Sequence, residues 1–349
     1  MIFLLVTLFV LSMGVLLFEL TLTRLFSIVL WYDYAFMAIS VAFFGLGIGA
    51  LLVHISKRKL LHEELPAYIL RSTIAFAVSL PIFLVLIGHV IPPSTSYLYL
   101  FYLVSSIPFF FAGISMALIY MAMPSEISKL YFIDLIGAAT ATVLLDTLMK
   151  TVGAESVLIV IDLVVICPSI IATLLFSASS GKKPVQDQFV IENKTRFYAL
   201  LVLVISGTLL FVNMSFNILA IQPGEVKGLH YQLTNPAFRH LSTQWNSFSR
   251  IDVTKQMYYQ NNNNNDNKSD DTGRSKALAA IAIDADADTP IFKWNGSTSD
   301  IRWMKQYMDY IPYEISSNNN NTLVIGSGGG EDVLVALAGG AKNVTAVEL

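Results

Sequence analysis

Thr322-Leu-Val-Ile-Gly-Ser-Gly-Gly-Gly-Glu-Asp-Val-Leu-Val-Ala-Leu-Ala-Gly-Gly-Ala-Lys-Asn-Val-Thr-Ala-Val-Glu-Leu349 is the most informative stretch of this chain. Residues 322–325 read as a buried strand, and Gly326, Ser327, Gly328, Gly329 and Gly330 as a loop whose bare backbone can approach a ligand closely. Residues 332–337 open a helix that Gly339-Gly340 ends, and 344–347 form a second β-branched strand with Glu348 at its carboxyl end. A parallel strand–loop–helix–strand unit gathers ligand groups at the loop and the helix start. It also puts the terminal acid where it can accept from a ribose diol. Gly326 and Glu348 are 22 residues apart, close to the separation of about 20 that this geometry needs. Residues 322–349 are therefore expected to open a Rossmann-like α/β domain.

The spacing discriminates between cofactors. A dinucleotide fingerprint needs Gly or Ala three residues after its second glycine, so that helix and strand meet under a pyrophosphate. That position is Glu331, which is large and carries the wrong charge for a diphosphate. The pattern suits an adenosyl ligand without phosphates, S-adenosylmethionine or its decarboxylated form. A glycine-rich turn in an unrelated α/β unit is the alternative.

Upstream of this unit, 222–321 reads as a small β-rich subdomain. Residues 248–253 alternate, Ala277–Ile283 is a compact apolar run, and 289–292 follow a carboxylate-rich turn, so short antiparallel strands are expected. The Asn-rich tract 261–267 reads as a hairpin loop, 301–310 as helix-like, and 318–321 as a separator. Asp284, Asp286 and Asp288 alternate like the start of an EF-hand loop. However, Thr289 stands where the sharp turn needs Gly, and Asn295 where a bidentate Glu should sit. The five histidines, at 54, 62, 89, 230 and 240, show no i,i+4 pair, so no metal is expected. Cys167 is the single cysteine, which excludes an intramolecular disulfide.

The rest of the chain is of another kind. Residues 1–221 hold 11 Lys/Arg and 11 Asp/Glu, whereas the shorter 222–349 hold 11 and 14, and the chain as a whole is 54% apolar and 13% charged. Seven stretches approach the roughly 20 apolar residues that a bilayer core of about 30 Å requires: 2–22, 34–53, 74–90, 97–123, 131–147, 157–176 and 197–219. The expected fold class is a bundle of about seven membrane-spanning α-helices in 1–221, then the small antiparallel region, then the start of the Rossmann-like domain. The bilayer is the first partner implied. A net charge of −3 with no long Lys/Arg run gives no reason to expect nucleic acid, and nothing in the sequence sets an oligomeric state.

Charges inside the spans are costly and need an account. Glu19 and Arg24 read either as a polar site or as an ion pair near the interface. Asp134, Asp146 and Asp162 could line a path for a cationic substrate, while Asp134 and Asp146 could instead reach headgroups. Gly45 and Gly49 have the spacing that lets helices approach closely. Loops after the second, fourth and sixth spans hold nine Lys/Arg against two in the opposite loops, Arg24 and Lys150. Seven spans would then put the tail outside the cell membrane. If 131–147 dipped in without crossing, the tail would return to the cytoplasm, where adenosyl donors are found, and that side is favoured.

At this point a family comes into view. The tail resembles the spermidine synthase family of aminopropyltransferases, and the whole chain resembles its membrane-anchored branch. The similar stretches are 19–27 and 44–50 in the first spans, 134–139 in the fifth, and Trp245-Asn-Ser-Phe-Ser-Arg-Ile-Asp-Val253 at the family's first small strand. Ile283-Asp284 falls at its Leu-Asp-Gly turn and Tyr310-Ile-Pro-Tyr313 at its aromatic-Pro stretch. The resemblance implies an adenosyl donor held by Gly326, Ser327, Gly328, Gly329, Gly330 and Glu348, and a small-molecule amine as acceptor. Three positions depart from the family. Gly329 replaces its donor-contacting Asp, Ser249 an early-strand Gln, and Met304-Lys305-Gln306 a Tyr-His-Glu stretch. A methyltransferase is therefore an alternative, and a membrane carrier or sensor with a nucleoside-binding tail is another. The acceptor pocket and the acid that takes the amine proton are expected beyond Leu349, so that this chain would be inactive by itself.

Overall fold

A computed structural model describes residues 1–56, 65–177, 193–257, 277–316 and 318–348. The break residues Lys57-Arg58-Lys59 and Lys182-Lys183-Pro184 and the Asn-rich tract 261–267 lie outside these. The chain divides into two compact units: Met1–Gly224 with Trp245–Phe248, and Glu225–Gln244 with Ser249–Leu349.

The first unit is helical: α1 (Ile2–Val29), α2 (Met37–Ser56), α3 (Leu65–Val85), α4 (Leu98–Ala122), α5 (Ile127–Ser177) and α6 (Asn193–Phe216). All six are long and apolar enough to cross a membrane. Helix is the form that satisfies every backbone polar group without water. The hydroxyls in these spans follow suit by returning to the preceding turn, as Thr7 does to the Phe3 carbonyl, Ser72 to Tyr68 and Ser105 to Phe101. The core between the helices is aromatic. The Phe18 ring lies 5.2 Å from Phe83 and 4.6 Å from Phe109, all three buried.

The fifth and sixth predicted spans are arms of a single element. Within α5, Gly153 takes φ 78, ψ 159, a conformation open to glycine, and divides 127–152 from 154–177. Both arms lie against the same stretch of α1. A Cβ on Gly137, in the first arm, would come within 3.0 Å of Ser12. A Cβ on Gly14 would come within 2.8 Å of Val165 and 3.1 Å of Ile161 in the second arm. The chain therefore doubles back at Gly153. The first arm also follows α1 along its length: Asp134 meets Ser12, whereas Asp146 meets Ser247, next to Phe248, whose carbonyl accepts from Arg24.

The second unit opens with a short helix, α7 (Gly228–Thr234), and a sheet of four strands in the order β1 (Phe238–Trp245), β2 (Arg250–Gln256), β3 (Ala277–Ile283) and β4 (Ala287–Phe292). β2 and β3 are antiparallel, with Asp252 opposite Ala282, as are β3 and β4, with Ala282 opposite Asp288. The β3–β4 turn puts Asp284 (φ 49) and Ala285 (φ 66) at its centre, and Asp286 N–H donates to the Ile283 carbonyl at 3.2 Å. Two positive φ angles are what the twist-matched hairpin turn demands. Asp252 on β2 is fully buried. Its Oδ1 accepts from Thr243 Oγ1 at 2.5 Å and Arg250 Nη2 at 3.1 Å and lies 3.1 Å from His240 Nε2; Arg250 Nε lies 2.8 Å from Oδ2.

Two features differ from expectation. β1 and α7 were not anticipated, and 301–310 is not one helix. It forms two 3₁₀ turns, Arg302–Gln306 and Met308–Tyr310, around an extended Tyr307, followed by α8 (Ile311–Ile315). Ile301 and Met304 share a face at the 3₁₀ spacing, so both, with Trp303 and Tyr310, enter a core with Phe292, Leu334 and Val335. The last elements are β5 (Asn321–Ile325), α9 (Glu331–Ala338) and β6 (Asn343–Val347). β5 and β6 pair in parallel, Thr322 opposite Val344 and Ile325 opposite Val347.

Candidate functional site

The glycine loop joins β5 to α9. Gly326 (φ 74), Gly328 (φ 49) and Gly330 (φ 88) all have left-handed backbone, and Gly330 caps α9. Gly326 N–H donates to the Val347 carbonyl at 2.8 Å, which ties the loop to the end of β6, and Gly330 N–H donates to Ser327 O at 2.8 Å. Glu348 comes off β6 directly onto the loop, its Oε2 accepting from Gly328 N–H at 2.5 Å. The loop and the acid, 18 to 22 residues apart in sequence, are thus neighbours in space.

The far side of the loop rests on β4. Gly329 N–H donates to Thr289 Oγ1 at 3.0 Å, and a Cβ on Gly329 would collide with the Pro290 carbonyl. No side chain fits position 329 without moving β4. Thr289 was missed as a loop partner; as a residue of a distant strand it carries no local signal.

Carboxylates surround the loop. At the start of α9, burial raises the Glu331 carboxyl above its ordinary range, and the neighbouring Asp332 and Asp309 charges add to this. Asp332 is raised likewise, by burial and then by Asp309. On the β3–β4 hairpin, burial and Asp286 raise Asp288, against the bond from Gln232 Nε2 at 3.0 Å. Lys227 is buried beside that hairpin, and its Nζ donates to the Asp284 carbonyl at 2.9 Å. Burial lowers its ammonium, while Asp286 and Asp284 hold it up. Asp284, Asp286 and Asp288 thus serve as turn residue and neighbours of Lys227 and Gln232. Met304 is fully buried in the core, and the adjacent Lys305 lies over the Tyr310 ring at 5.3 Å.

The intramembrane charges go to separate partners. Arg24 does not turn to Glu19; its guanidinium donates to the Phe248 carbonyl and, from Nε, to Thr23 Oγ1 at 3.3 Å. Asp134 accepts from Ser12 of α1 at 2.5 Å and Tyr120 of α4 at 3.3 Å, so it faces two other helices. Asp146 pairs with Lys150 at 2.6 Å and accepts from Ser247 at 2.8 Å. Asp162 accepts from Ser206 of α6. With three different partner sets, these acids do not form one continuous path. Gly45 and Gly49 do mark a close helix approach: a Cβ on Gly45 would lie 2.6 Å from Phe109, and one on Gly49 2.9 Å from the Ile114 nitrogen.

A comparison with protein-family models, curated proteins and solved structures finds no match to this chain.

Proposed function

We propose that the glycine loop and Glu348 bind an S-adenosyl donor, and that the chain belongs to a membrane-bound, spermidine-synthase-like transferase. The observation that carries this reading is the meeting of Glu348 with the loop at Gly328, at the carboxyl ends of two parallel strands. That is where an adenosine's ribose diol would find both an acceptor and a bare backbone. The acids at the start of α9 support the same ligand. Burial and the nearby Asp332 and Asp309 charges raise Glu331, and burial and Asp309 raise Asp332; a sulfonium cation relieves that repulsion where a diphosphate would deepen it.

In the chemistry this implies, an amine nitrogen attacks the carbon beside the sulfonium. A C–N bond forms and the C–S bond breaks, its electrons leaving on sulfur as a neutral thioether, and the amine sheds a proton. The leaving group is already activated, so the protein's part is to align the two molecules and keep the amine neutral. Calorimetry on the full chain should show donor binding that Glu348→Ala weakens about tenfold or more, about 1.4 kcal/mol; equal affinity in the variant would discard the assignment. Tighter binding of the decarboxylated donor indicates aminopropyl transfer, and tighter binding of S-adenosylmethionine indicates methyl transfer.

This reading requires the tail in the cytoplasm, with the donor. One observation favours the alternative, a membrane carrier or sensor with a nucleoside-binding tail. If each arm of α5 crosses, the passes number seven, and with nine basic residues against two that count argues for an outer tail. Paired reporters fused after Leu349 separate the two. Activity from a reporter that works only in the cytoplasm is expected; activity only from the one that works outside would remove the transferase reading.

A further inference from the structure

Arg71 is the one charged residue of α3. Ile69, Leu70, Ser72, Thr73 and Ile74 around it are buried in the bundle, whereas Arg71 is exposed. The apolar stretch Leu65–Val90 has 26 residues, about 39 Å of helix at 1.5 Å per residue. A hydrocarbon core of about 30 Å centred on it begins about 5 Å past Leu65. Arg71, about 9 Å along, therefore lies about 5 Å inside that boundary. A guanidinium at this depth is costly unless it faces an anion or water, and its stem is long enough to bring the charge to the phosphate level.

Arg71 also opens onto a groove. Between α2, α3 and α4 is a cavity of about 480 Å³ whose lining includes Arg71, Ser56, Tyr68, Leu52, Ala75 and Phe111. A second cavity, of about 230 Å³, continues it between α3 and α4. It shares Ala75 and Phe111 and reaches Ile82 and Val104. The polar groups gather at one end: Ser56 is the last residue of α2, and Tyr68 precedes Arg71 by about one turn. Past Ala75 the walls are apolar, Ser79 turning its hydroxyl to the Phe76 carbonyl at 2.7 Å. From Arg71 to Ile82 is about 16 Å of helix, and one leaflet of hydrocarbon is about 15 Å deep. The groove thus has a cation at the headgroup level and an apolar channel one leaflet long behind it. Among the described residues no acid lines either cavity, so a headgroup ammonium has no counterpart there.

We propose that this groove is a binding site for an anionic phospholipid, with the phosphate on Arg71 and one acyl chain laid between α3 and α4 past Ala75 and Phe111. Arg71 has five N–H donors, enough to keep a protein neighbour and still grip a phosphate with two of them. The site lies wholly within the helical unit and does not depend on what the tail binds.

The test titrates the delipidated full chain in detergent with phosphatidylglycerol, and separately with phosphatidylcholine of the same acyl chains, and reads bound lipid by native mass spectrometry. One phosphatidylglycerol should bind about fivefold or more tighter than phosphatidylcholine. Arg71→Gln should abolish that preference, and Ala75→Trp, which fills the groove where the two cavities meet, should weaken phosphatidylglycerol severalfold. Lys129→Gln, an exposed cation at the start of α5, should bind as the wild type does. Inorganic phosphate should not displace the lipid. Equal affinity for the two lipids, an undiminished preference in Arg71→Gln, an equal loss in Lys129→Gln, or displacement by phosphate would each overturn the proposal. A phosphatidylglycerol with a diazirine on one chain gives a reading on the wild type, where folding of a variant plays no part. On illumination it should label the peptides of α3 and α4 that contain Ala75 and Phe111; labelling spread evenly over the six helices would also overturn it.

Discussion

Gly49→Leu is expected to leave almost no folded protein, while Gly47→Leu, two residues away on the same helix, is expected to leave it intact. A Cβ on Gly49 would run into the Phe110 carbonyl and lie 2.9 Å from the Ile114 nitrogen and 3.2 Å from the Gly113 carbonyl carbon. All three are backbone atoms of α4, so no rotamer change can accommodate the addition and α2 must separate from α4. Gly113 makes the reciprocal approach, since a Cβ there would come within 2.8 Å of Leu46 Cα. Overpacking of this kind costs about 3 kcal/mol or more, roughly a hundredfold in the folded-to-unfolded ratio. Gly47 has no atom within 4 Å of its Cβ position, so a leucine there projects into open space. Size-exclusion profiles of the two variants in detergent provide the check. A monodisperse Gly49→Leu peak at wild-type yield would mean that the helices are not this close.

Arg250→Ala is expected to destabilise the small sheet by about 3–5 kcal/mol, the cost of leaving a buried carboxylate without its cation. Asp252 is 0% exposed and Arg250 6%, and His240 and Thr243 complete the group. Once the guanidinium is removed, the carboxylate retains one hydroxyl and an imidazole. Hydrogen exchange of the β2 and β3 amides, where Asp252 opposes Ala282, should accelerate by about two to four powers of ten. Arg250→Met combined with Asp252→Leu should exchange much more slowly than the single variant, because exchanging both charges for apolar volume removes the desolvation penalty along with the attraction. Unchanged exchange in Arg250→Ala would show that the cluster does not hold the sheet.

What could be read in advance follows from the range over which each signal acts. Spans declare themselves by composition, since 20 apolar residues in a row are hard to produce otherwise. The β5–α9–β6 unit declares itself by the spacing of Gly326, Gly328, Gly330 and Glu348, a local pattern fixed by backbone geometry. The Asp284-Ala285 turn was half legible: the acids marked a turn, and the positive φ angles explain the lack of an EF-hand better than the missing ligands do. β1 was not legible because Phe238–Trp245 is mostly exposed and carries no clean alternation. Trp303 and Met304 misled because adjacent buried residues do not distinguish a 3₁₀ turn from a helix. In the candidate site Thr289 was invisible for a different reason: its bond to Gly329 spans 40 residues, and no local rule connects a β4 hydroxyl to a loop that far ahead.

The fold at Gly153 has a consequence for biogenesis. Asp134 and Asp146 make the first arm of α5 a poorer candidate to enter a bilayer alone, since an acid in the hydrocarbon costs up to about 3 kcal/mol. The second arm, lying antiparallel beside the same helix, gives it an immediate neighbour, so the two arms are suited to enter as a pair. Ser12, which donates to Asp134, is made 122 residues earlier. At about 5–20 residues per second, α1 waits in the membrane for roughly 6–24 s before its carboxylate partner is made.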